Sequence, residues 1–219
     1  MDRPGRRPWK GALRLLAIAL FATAMLAAGS GCARRAPDKP PAEAFALSAS
    51  ALSGDNRFAY TGEAAAYDGQ GVLVSRVPYG GEVTHHRLAA LSGAGAEAST
   101  QRGLERPLEL VSAAEREAVS VAYAPERRAG EVSLRLVLSP GAAQRRMREA
   151  LRDTLPAEAL RTLHADTVVW WTADRRTWFP IRMREESVVR YRSDGRDREE
   201  RRTSVTDFHR TPDSDTIRR

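Results

Sequence analysis

Cys32 is the one thiol in this chain of 219 residues, and it follows a segment of unusual composition. Leu15 to Ala28 are all apolar or small residues except Thr23. The basic residues before this run are Arg3, Arg6, Arg7, Lys10 and Arg14, and Gly29, Ser30 and Gly31 separate it from the cysteine. A basic start, an apolar middle of about 7–15 residues and a small-residue end are typical of an export signal. The pattern predicts cleavage between Gly31 and Cys32, which removes residues 1–31 and leaves Cys32 as the first residue of the mature protein.

The four residues from Gly29 to Cys32 resemble the lipobox of bacterial lipoproteins. Ser30 and Gly31 match its small positions, whereas Gly29 stands where leucine or another aliphatic residue is usual. The resemblance implies that Cys32 carries lipid such as palmitate and anchors an exported protein to the outer face of the cell membrane or another envelope membrane. Two alternatives stay open, a secretory signal with an incidental cysteine and an uncleaved anchor. The run is short for an anchor, since a bilayer core needs about 20 apolar residues.

The net charge limits the classes of partner. It is +7 for the whole chain, of which residues 1–31 carry +4, so residues 32–219 keep +3. A weakly positive domain lacks the concentrated basic surface that nucleic-acid binding requires, and we expect no nucleic-acid partner. Once Cys32 carries lipid no thiol remains, which excludes disulfides, thiolate catalysis and cysteine-based metal sites.

The remaining residues with catalytic potential form no recognisable site. His85 and His86 are neighbours, and neighbours on a strand point to opposite faces, so they cannot bind one ion together. The sequence contains no G-x-S-x-G, H-E-x-x-H or P-loop motif. Glu185-Glu186 and Glu199-Glu200 lie among arginines, where cross-strand ion pairs are expected. We therefore expect no catalytic residue, no metal, no cofactor and no enzymatic activity.

Composition divides the chain into four parts. Residues 1–31 are the predicted signal peptide, 32–43 a disordered tether, 44–210 a single domain and 211–219 a polar tail. The tether assignment depends on Ala33 to Ala42, which has three prolines, four charges and no large apolar side chain. Such a segment cannot bury enough apolar surface to order itself.

Periodicity predicts helices and strands in the order helix, three strands, helix, two strands, two helices, three strands. Asp68-Gly69 and Asp194-Gly195 are favoured hairpin turns, and Ser139-Pro140 is a typical helix start. Pro78 and Gly80-Gly81 are expected to end the second strand. Hairpin connections dominate, which favours an antiparallel sheet and the α+β class. The predicted helices are Phe45–Leu52, Pro107–Ala118, Pro140 to about Leu155, and Ala157–Leu163; the predicted strands begin near Phe58, Val72, Glu82, Val119, Val132, Val168, Trp178 and Arg202.

The segment Val168 to Met183 resembles a hairpin of the LolA-like superfamily of lipoprotein carriers, which includes the LppX/LprG group. Its sequence, VVWWTADRRTWFPIRM, is similar to the pattern W-x-D-x-x-T-x-x-P-x-x-M, with two residues instead of one between Trp171 and Asp174. The strand start Phe58-x-Tyr60-x-Gly62 and the helix start at Pro107 are similar as well. The resemblance implies an incompletely closed antiparallel barrel or curved sheet with helices on its concave side, and in several members an apolar cavity for acyl chains.

Under that resemblance, Trp170, Trp171, Trp178 and Phe179 are the candidate wall of an apolar-ligand site. Alternation places Trp170 and Trp171 on opposite faces of their strand, so a core tryptophan beside a surface tryptophan is the other interpretation. The expected function is a membrane-anchored lipoprotein that binds or carries lipid or acyl chains. The alternative is an envelope interaction or sensor module that contacts a protein and holds no ligand.

Overall fold

A computed structural model describes residues 39–54, 57–84, 87–92, 107–125 and 128–211. Contacts divide the chain into Met1–Asp38 and Lys39–Arg219, and every described residue belongs to the second unit. The predicted signal, Cys32 and the pair His85-His86 lie outside the described residues.

The order of helices and strands agrees with the sequence prediction throughout the described part of the chain. The helices are α1 (Pro41–Gly54), α2 (Pro107–Glu117), α3 (Pro140–Leu151) and α4 (Ala157–Thr162). The strands are β1 (Arg57–Tyr67), β2 (Leu73–Thr84), β3 (Arg87–Ser92), β4 (Ala118–Tyr123), β5 (Glu131–Leu138), β6 (His164–Asp174), β7 (Pro180–Ser193) and β8 (Arg196–Arg210).

The strands form one antiparallel sheet in the order β3-β2-β1-β8-β7-β6-β5-β4. The predicted α+β class and antiparallel pairing are confirmed, and within the described residues the sheet is open, with β3 and β4 at its edges. Six of its seven strand pairings join neighbours in sequence. The seventh pairs β1 with β8 and brings the first and last strands together near the middle of the sheet. Tyr60, for example, stands opposite Phe208.

The second strand is longer than predicted. The expected break at Pro78 and Gly80-Gly81 is wrong, because Pro78 pairs with Glu63 of β1 and the two glycines also pair with β1. Among the described pairs, β3 joins β2 only from Gly80 onward. Pro78 therefore lies where β2 has β1 as its single described neighbour, and a proline is tolerated at such an edge position.

Two glycines of this hairpin make room for tyrosine rings. Gly62 of β1 stands opposite Tyr79, and Gly81 of β2 stands opposite Tyr60. A Cβ atom added at Gly62 would lie 2.4 Å from the Tyr79 ring, and one at Gly81 would lie 2.6 Å from the Tyr60 hydroxyl. Each tyrosine therefore lies across the glycine that faces it, which explains glycine in the interior of two strands.

Helix α1 begins at Pro41, whereas the predicted tether extended to residue 43. The carbonyl of Lys39 accepts a hydrogen bond of 2.6 Å from the Tyr123 hydroxyl on β4, and the Lys39 ammonium pairs with Glu43 at 2.8 Å. These contacts fix the chain before the first apolar side chain of the helix, which is why composition alone placed the boundary too late.

One face of the sheet packs against the helices and forms the hydrophobic core. On β6 the buried side chains alternate, and they are Ala165, Thr167, Val169, Trp171 and Ala173. All four helices contribute to this side, with Phe45, Leu110, Met147 and Ala159 among their buried residues. Helix α3 starts as predicted, since the Ser139 hydroxyl accepts the Ala142 N–H at 3.2 Å and Pro140 occupies the first turn.

Candidate functional site

Trp171 occupies the centre of the helix-facing side. Its side chain is fully buried, and the indole N–H donates a 2.8 Å hydrogen bond to the Ser48 hydroxyl of α1. The ring meets Phe45 edge-on at a centroid distance of 5.3 Å and Phe208 of β8 at 5.8 Å. Trp171 therefore joins helix α1 to the middle of the sheet, and its one polar atom is satisfied inside the core.

Trp170 lies on the opposite face, which we call the outward face. Its strand neighbours there are Arg135 of β5 and Arg184 of β7. The Arg184 guanidinium lies 5.1 Å from the centre of the Trp170 ring, within cation–π range. The ring is half-buried, so an indole with an adjacent cation is available at the middle of this face.

Trp178 and Phe179 are positioned by a turn that Asp174 builds. The Asp174 carboxylate accepts the backbone N–H of Thr177 at 2.7 Å, the Thr177 hydroxyl at 2.9 Å and the Arg176 N–H at 3.1 Å. The hydrogen bond from the Thr177 N–H is the largest of the causes that lower the pKa of Asp174. This is the physical role of the Asp-x-x-Thr pattern: a small acid and a hydroxyl close the turn between β6 and β7.

The turn leaves Trp178 with a φ of 59°, in the left-handed region that bulky residues rarely adopt. Its ring is half-buried and packs against the core, and Phe179 beside it is buried with the Arg210 guanidinium 4.6 Å from its ring centre. The four predicted residues therefore divide between two faces: Trp171 and Phe179 belong to the core, Trp178 packs at its margin, and Trp170 faces outward.

A buried ion pair lies on the same side of the sheet as Trp171 and was not predicted. Glu185 of β7 is fully buried, and Arg146 of α3 reaches it with two hydrogen bonds, of 2.8 Å from Nη2 and 3.2 Å from Nε. Ser187 and Ser204 donate to the same carboxylate at 3.3 and 3.4 Å. All four side chains are therefore joined in one polar cluster between α3 and the central strands.

Tyr79 of β2 reaches across β1 to the polar residues of β8. Its hydroxyl makes a 2.6 Å hydrogen bond with the Thr206 hydroxyl of β8. Burial raises the pKa of Tyr79 to about 12, so the phenol is neutral at physiological pH. A neutral phenol, two serines, a threonine and a carboxylate paired with Arg146 can fix polar groups in place between α3 and the central strands.

The sequence did contain a signal for this cluster. On strand β7 every second side chain points to the same face, and one such set is Met183, Glu185, Ser187 and Val189. Met183 is the apolar residue of the hairpin pattern, so the face that it shares with Glu185 is the core side. Glu185 was instead expected to form a cross-strand ion pair like its neighbours. That expectation is confirmed for Glu199, which pairs with Arg190 of β7 at 2.8 Å. It is wrong for Glu185, whose partner is on a helix, while Glu186 and Glu200 pair with arginines of their own strands.

The described residues contain no group of three or more histidine, cysteine or acidic side chains suited to hold a metal ion. No helix among them is long and apolar enough to cross a bilayer.

A scan against protein-family models found no match to the chain, and a search of curated proteins found no matching sequence.

Proposed function

We propose that this chain is an exported lipoprotein, anchored through Cys32, whose α+β domain acts as an envelope interaction module that binds another protein through the outward face. The division of the two adjacent tryptophans is the observation that carries the proposal. Trp171 is enclosed by Phe45, Ser48 and Phe208, so it belongs to the core. Trp170 is left as a half-buried ring among cations, and tryptophan and arginine are the residues most enriched at binding hot spots.

The outward face has the size and composition that a protein interface needs. Eight strands spaced about 4.8 Å apart make a surface broad enough for the roughly 800 Å² per partner of a stable interface. Around Trp170 the half-buried apolar side chains are Val137, Val168, Val188 and Val205. The charges of this face are largely paired, as in Arg182 with Asp207 at 2.5 Å and Arg184, the neighbour of Trp170, with Glu186 at 3.3 Å. Apolar side chains beside paired charges suit a folded protein partner.

Photo-crosslinking in cells tests this proposal. A photoreactive amino acid replaces Trp170 in the full chain, and Leu47, an exposed residue of α1 on the helix side, is the matched control position. We expect a discrete protein adduct from position 170 that the Arg135→Glu change weakens, and none from position 47. An adduct at both positions, or at neither while the domain is folded and membrane-bound, contradicts the proposal.

An apolar-ligand carrier is the second candidate, and the composition of β1 favours it. In the LolA-like arrangement the helices occupy the concave side of a partly closed barrel. The main helix contacts with the sheet involve β4, β5, β6 and β7, whereas the helix-facing residues of β1 include the small side chains of Ala64 and Ala66. Small residues along a strand leave room for a ligand beside the helices.

Native mass spectrometry of the full chain, extracted from membranes in mild detergent, separates the two candidates. A carrier retains a lipid in addition to the acyl chains on Cys32, and widening Ala64 to Leu should reduce its occupancy. Absence of co-purifying lipid from a folded, lipidated sample contradicts the carrier.

A further inference from the structure

Three consecutive apolar side chains are exposed at one end of the sheet. Val72 is 57% exposed, Leu73 44% and Val74 66%. They follow the turn between β1 and β2, and we call them the hairpin tip. Branched apolar side chains scattered singly on a surface are ordinary, but a contiguous group is typical of a site that contacts another apolar phase.

The hairpin tip is held out by an ordered turn. The Asp68 carboxylate accepts the N–H of Gln70 at 3.0 Å and that of Val72 at 2.9 Å. The Asp68 N–H donates to the Val72 carbonyl at 3.0 Å, and Gly71 supplies the positive φ of 80° that the turn needs. These bonds leave the three side chains little opportunity to fold back onto the domain.

A β-bulge directs the tip further outward. Ala66 pairs with Ser75 and Tyr67 pairs with Leu73, so Val74 is the extra residue on β2. A bulge changes the direction of the side chain it contains and is a frequent device next to functional sites. Val119 on β4, at the other edge of the sheet, is likewise the extra residue of a bulge and is 65% exposed. Its neighbours Ala118 and Ser120 are not large apolar residues, so it forms no contiguous group.

Aromatic and basic side chains surround the tip. Tyr67 stands between Leu73 and Arg201 on the outward face, with the Arg201 guanidinium 4.8 Å from its ring centre. Exposed arginines of the β7–β8 hairpin lie at the same end of the sheet, at positions 196 and 198, against the exposed Asp194 and Asp197. The nearby carboxylates of Glu199 and Glu200 are engaged by Arg190 and Arg202. The exposed arginines at positions 192, 196, 198 and 201 then stand against three carboxylates, those of Asp68, Asp194 and Asp197, which leaves one cation in excess around the tip.

We propose that the hairpin tip inserts into the interfacial region of an anionic bilayer, giving the domain a second contact with the membrane that holds its lipid anchor. The inference rests on the proposed anchoring at Cys32. Aliphatic side chains enter the interface to a depth of about 5–10 Å, while tyrosine and arginine remain at headgroup level. Anionic headgroups complement the excess of arginine.

A bilayer fits the tip better than a second protein does. Three side chains on a protruding turn cannot supply the roughly 800 Å² per partner of a stable protein interface. Shallow insertion needs only a few apolar residues when a lipid anchor already keeps the domain at the surface. The occupant is therefore the membrane, and a protein contact becomes an outcome that the test detects.

The test uses the mature, lipidated full chain in vesicles. Lipid blocks the sulfur of Cys32, the only native thiol, so an introduced cysteine takes up a single environment-sensitive fluorophore. Leu73→Cys reports on the tip and Val119→Cys is the matched control, since both positions are exposed. The vesicles are phosphatidylcholine alone or with phosphatidylglycerol, and each contains lipids with a quencher just below the headgroups.

We expect a blue shift and quenching at position 73 in the vesicles containing phosphatidylglycerol, and an aqueous spectrum at position 119. The effect should weaken between about 0.1 M and 1 M salt, as the screening length falls from about 10 Å to about 3 Å. An aqueous spectrum at position 73 on protein that stays vesicle-bound overturns the inference while leaving the anchor intact. Protection at position 73 in native membranes but not in protein-free vesicles also overturns it and indicates a protein partner. Labelling of Cys32 itself shows that the anchoring proposal has failed.

Discussion

Trp170 and Trp171 are adjacent in sequence but lie on opposite faces of the sheet and differ in burial. Replacing Trp171 by alanine removes a fully buried ring and leaves the Ser48 hydroxyl without its donor. We expect a loss of about 3–5 kcal/mol in the free energy of unfolding. Trp170→Ala removes a half-buried ring and one cation–π contact, so its loss should stay within about 1 kcal/mol. Denaturant melts of both variants check the difference, and equal losses would contradict the assignment of faces.

Asp174 determines the geometry of the turn that carries Trp178. Asp174→Ala removes an acceptor of three hydrogen bonds. Each such bond is worth about 1 kcal/mol and this site is partly exposed, so we expect a loss of about 1–2 kcal/mol. The left-handed φ of Trp178 should then relax, and near-ultraviolet circular dichroism of the tryptophans reports that change.

The same carboxylate makes stability depend on pH. Because hydrogen bonds from Thr177 lower the pKa of Asp174 in the folded state, its contribution is present above the unfolded pKa of about 3.9 and is lost as the pH falls through the lower folded pKa. Asp174→Asn keeps an acceptor oxygen but has no charge to lose. The midpoint of its denaturant unfolding should therefore fall less than that of the wild type when the pH is lowered below about 4. Midpoints that fall in parallel for the two proteins would contradict this assignment.

At the scale of elements, the hairpin of β1 and β2 depends on its paired tyrosines and glycines. Gly62→Ala places a Cβ atom 2.4 Å from the Tyr79 ring and 2.6 Å from the Val205 carbonyl. The ring and the strand must shift, and we expect a loss of about 1–3 kcal/mol. Gly54→Ala is the control, because a Cβ atom there meets nothing within 4 Å. Thermal unfolding of the two variants tests the explanation, which fails if both are neutral.

Helix α3 is joined to β7 by the buried pair of Arg146 and Glu185. Removing one partner, as in Arg146→Met, leaves a buried carboxylate without its cation and should cost about 3–5 kcal/mol. The double change Arg146→Met with Glu185→Leu removes both charges and should be closer to the wild type, since apolar replacements of buried pairs are often neutral. Chemical denaturation of the three variants measures the coupling. If the double variant loses the sum of the single losses, the two residues act independently.

The existence and order of helices and strands could be predicted from local signals. Asp-Gly marked both long hairpins, and Ser139-Pro140 marked α3. Asp194 and Gly195 adopt the positive φ angles of their turn, whereas in the first hairpin Asp68 accepts N–H groups of the turn and Gly71 has the positive φ. Local signals failed at β2, where Pro78 and Gly80-Gly81 resemble strand breakers. The edge position of Pro78 and the Tyr60 and Tyr79 rings lying across the glycines make them acceptable, and those are tertiary facts.

At the scale of the whole molecule, the prediction concerns anchoring. Cys32→Ala removes the only sulfur that can carry lipid, so the variant should accumulate as unprocessed precursor or as released protein. Fractionation of cells followed by mass measurement checks this expectation. A variant of mature size that still sediments with membranes would contradict the anchor, since a bound domain alone would then account for attachment.

The sequence by itself determined the export pattern, the candidate lipid anchor, the α+β class and the order of elements, because each depends on residues close together in the chain. Tertiary structure decided which tryptophan belongs to the core. Alternation along β6 places Trp170 and Trp171 on opposite faces, but only the packing of α1 against one face shows which of the two is buried. It also decided the central pairing of β1 with β8 and the partner of Glu185, contacts between residues far apart in sequence. No local pattern specifies such a contact, because its energy is realised only when the rest of the sheet and helix α3 are already in place.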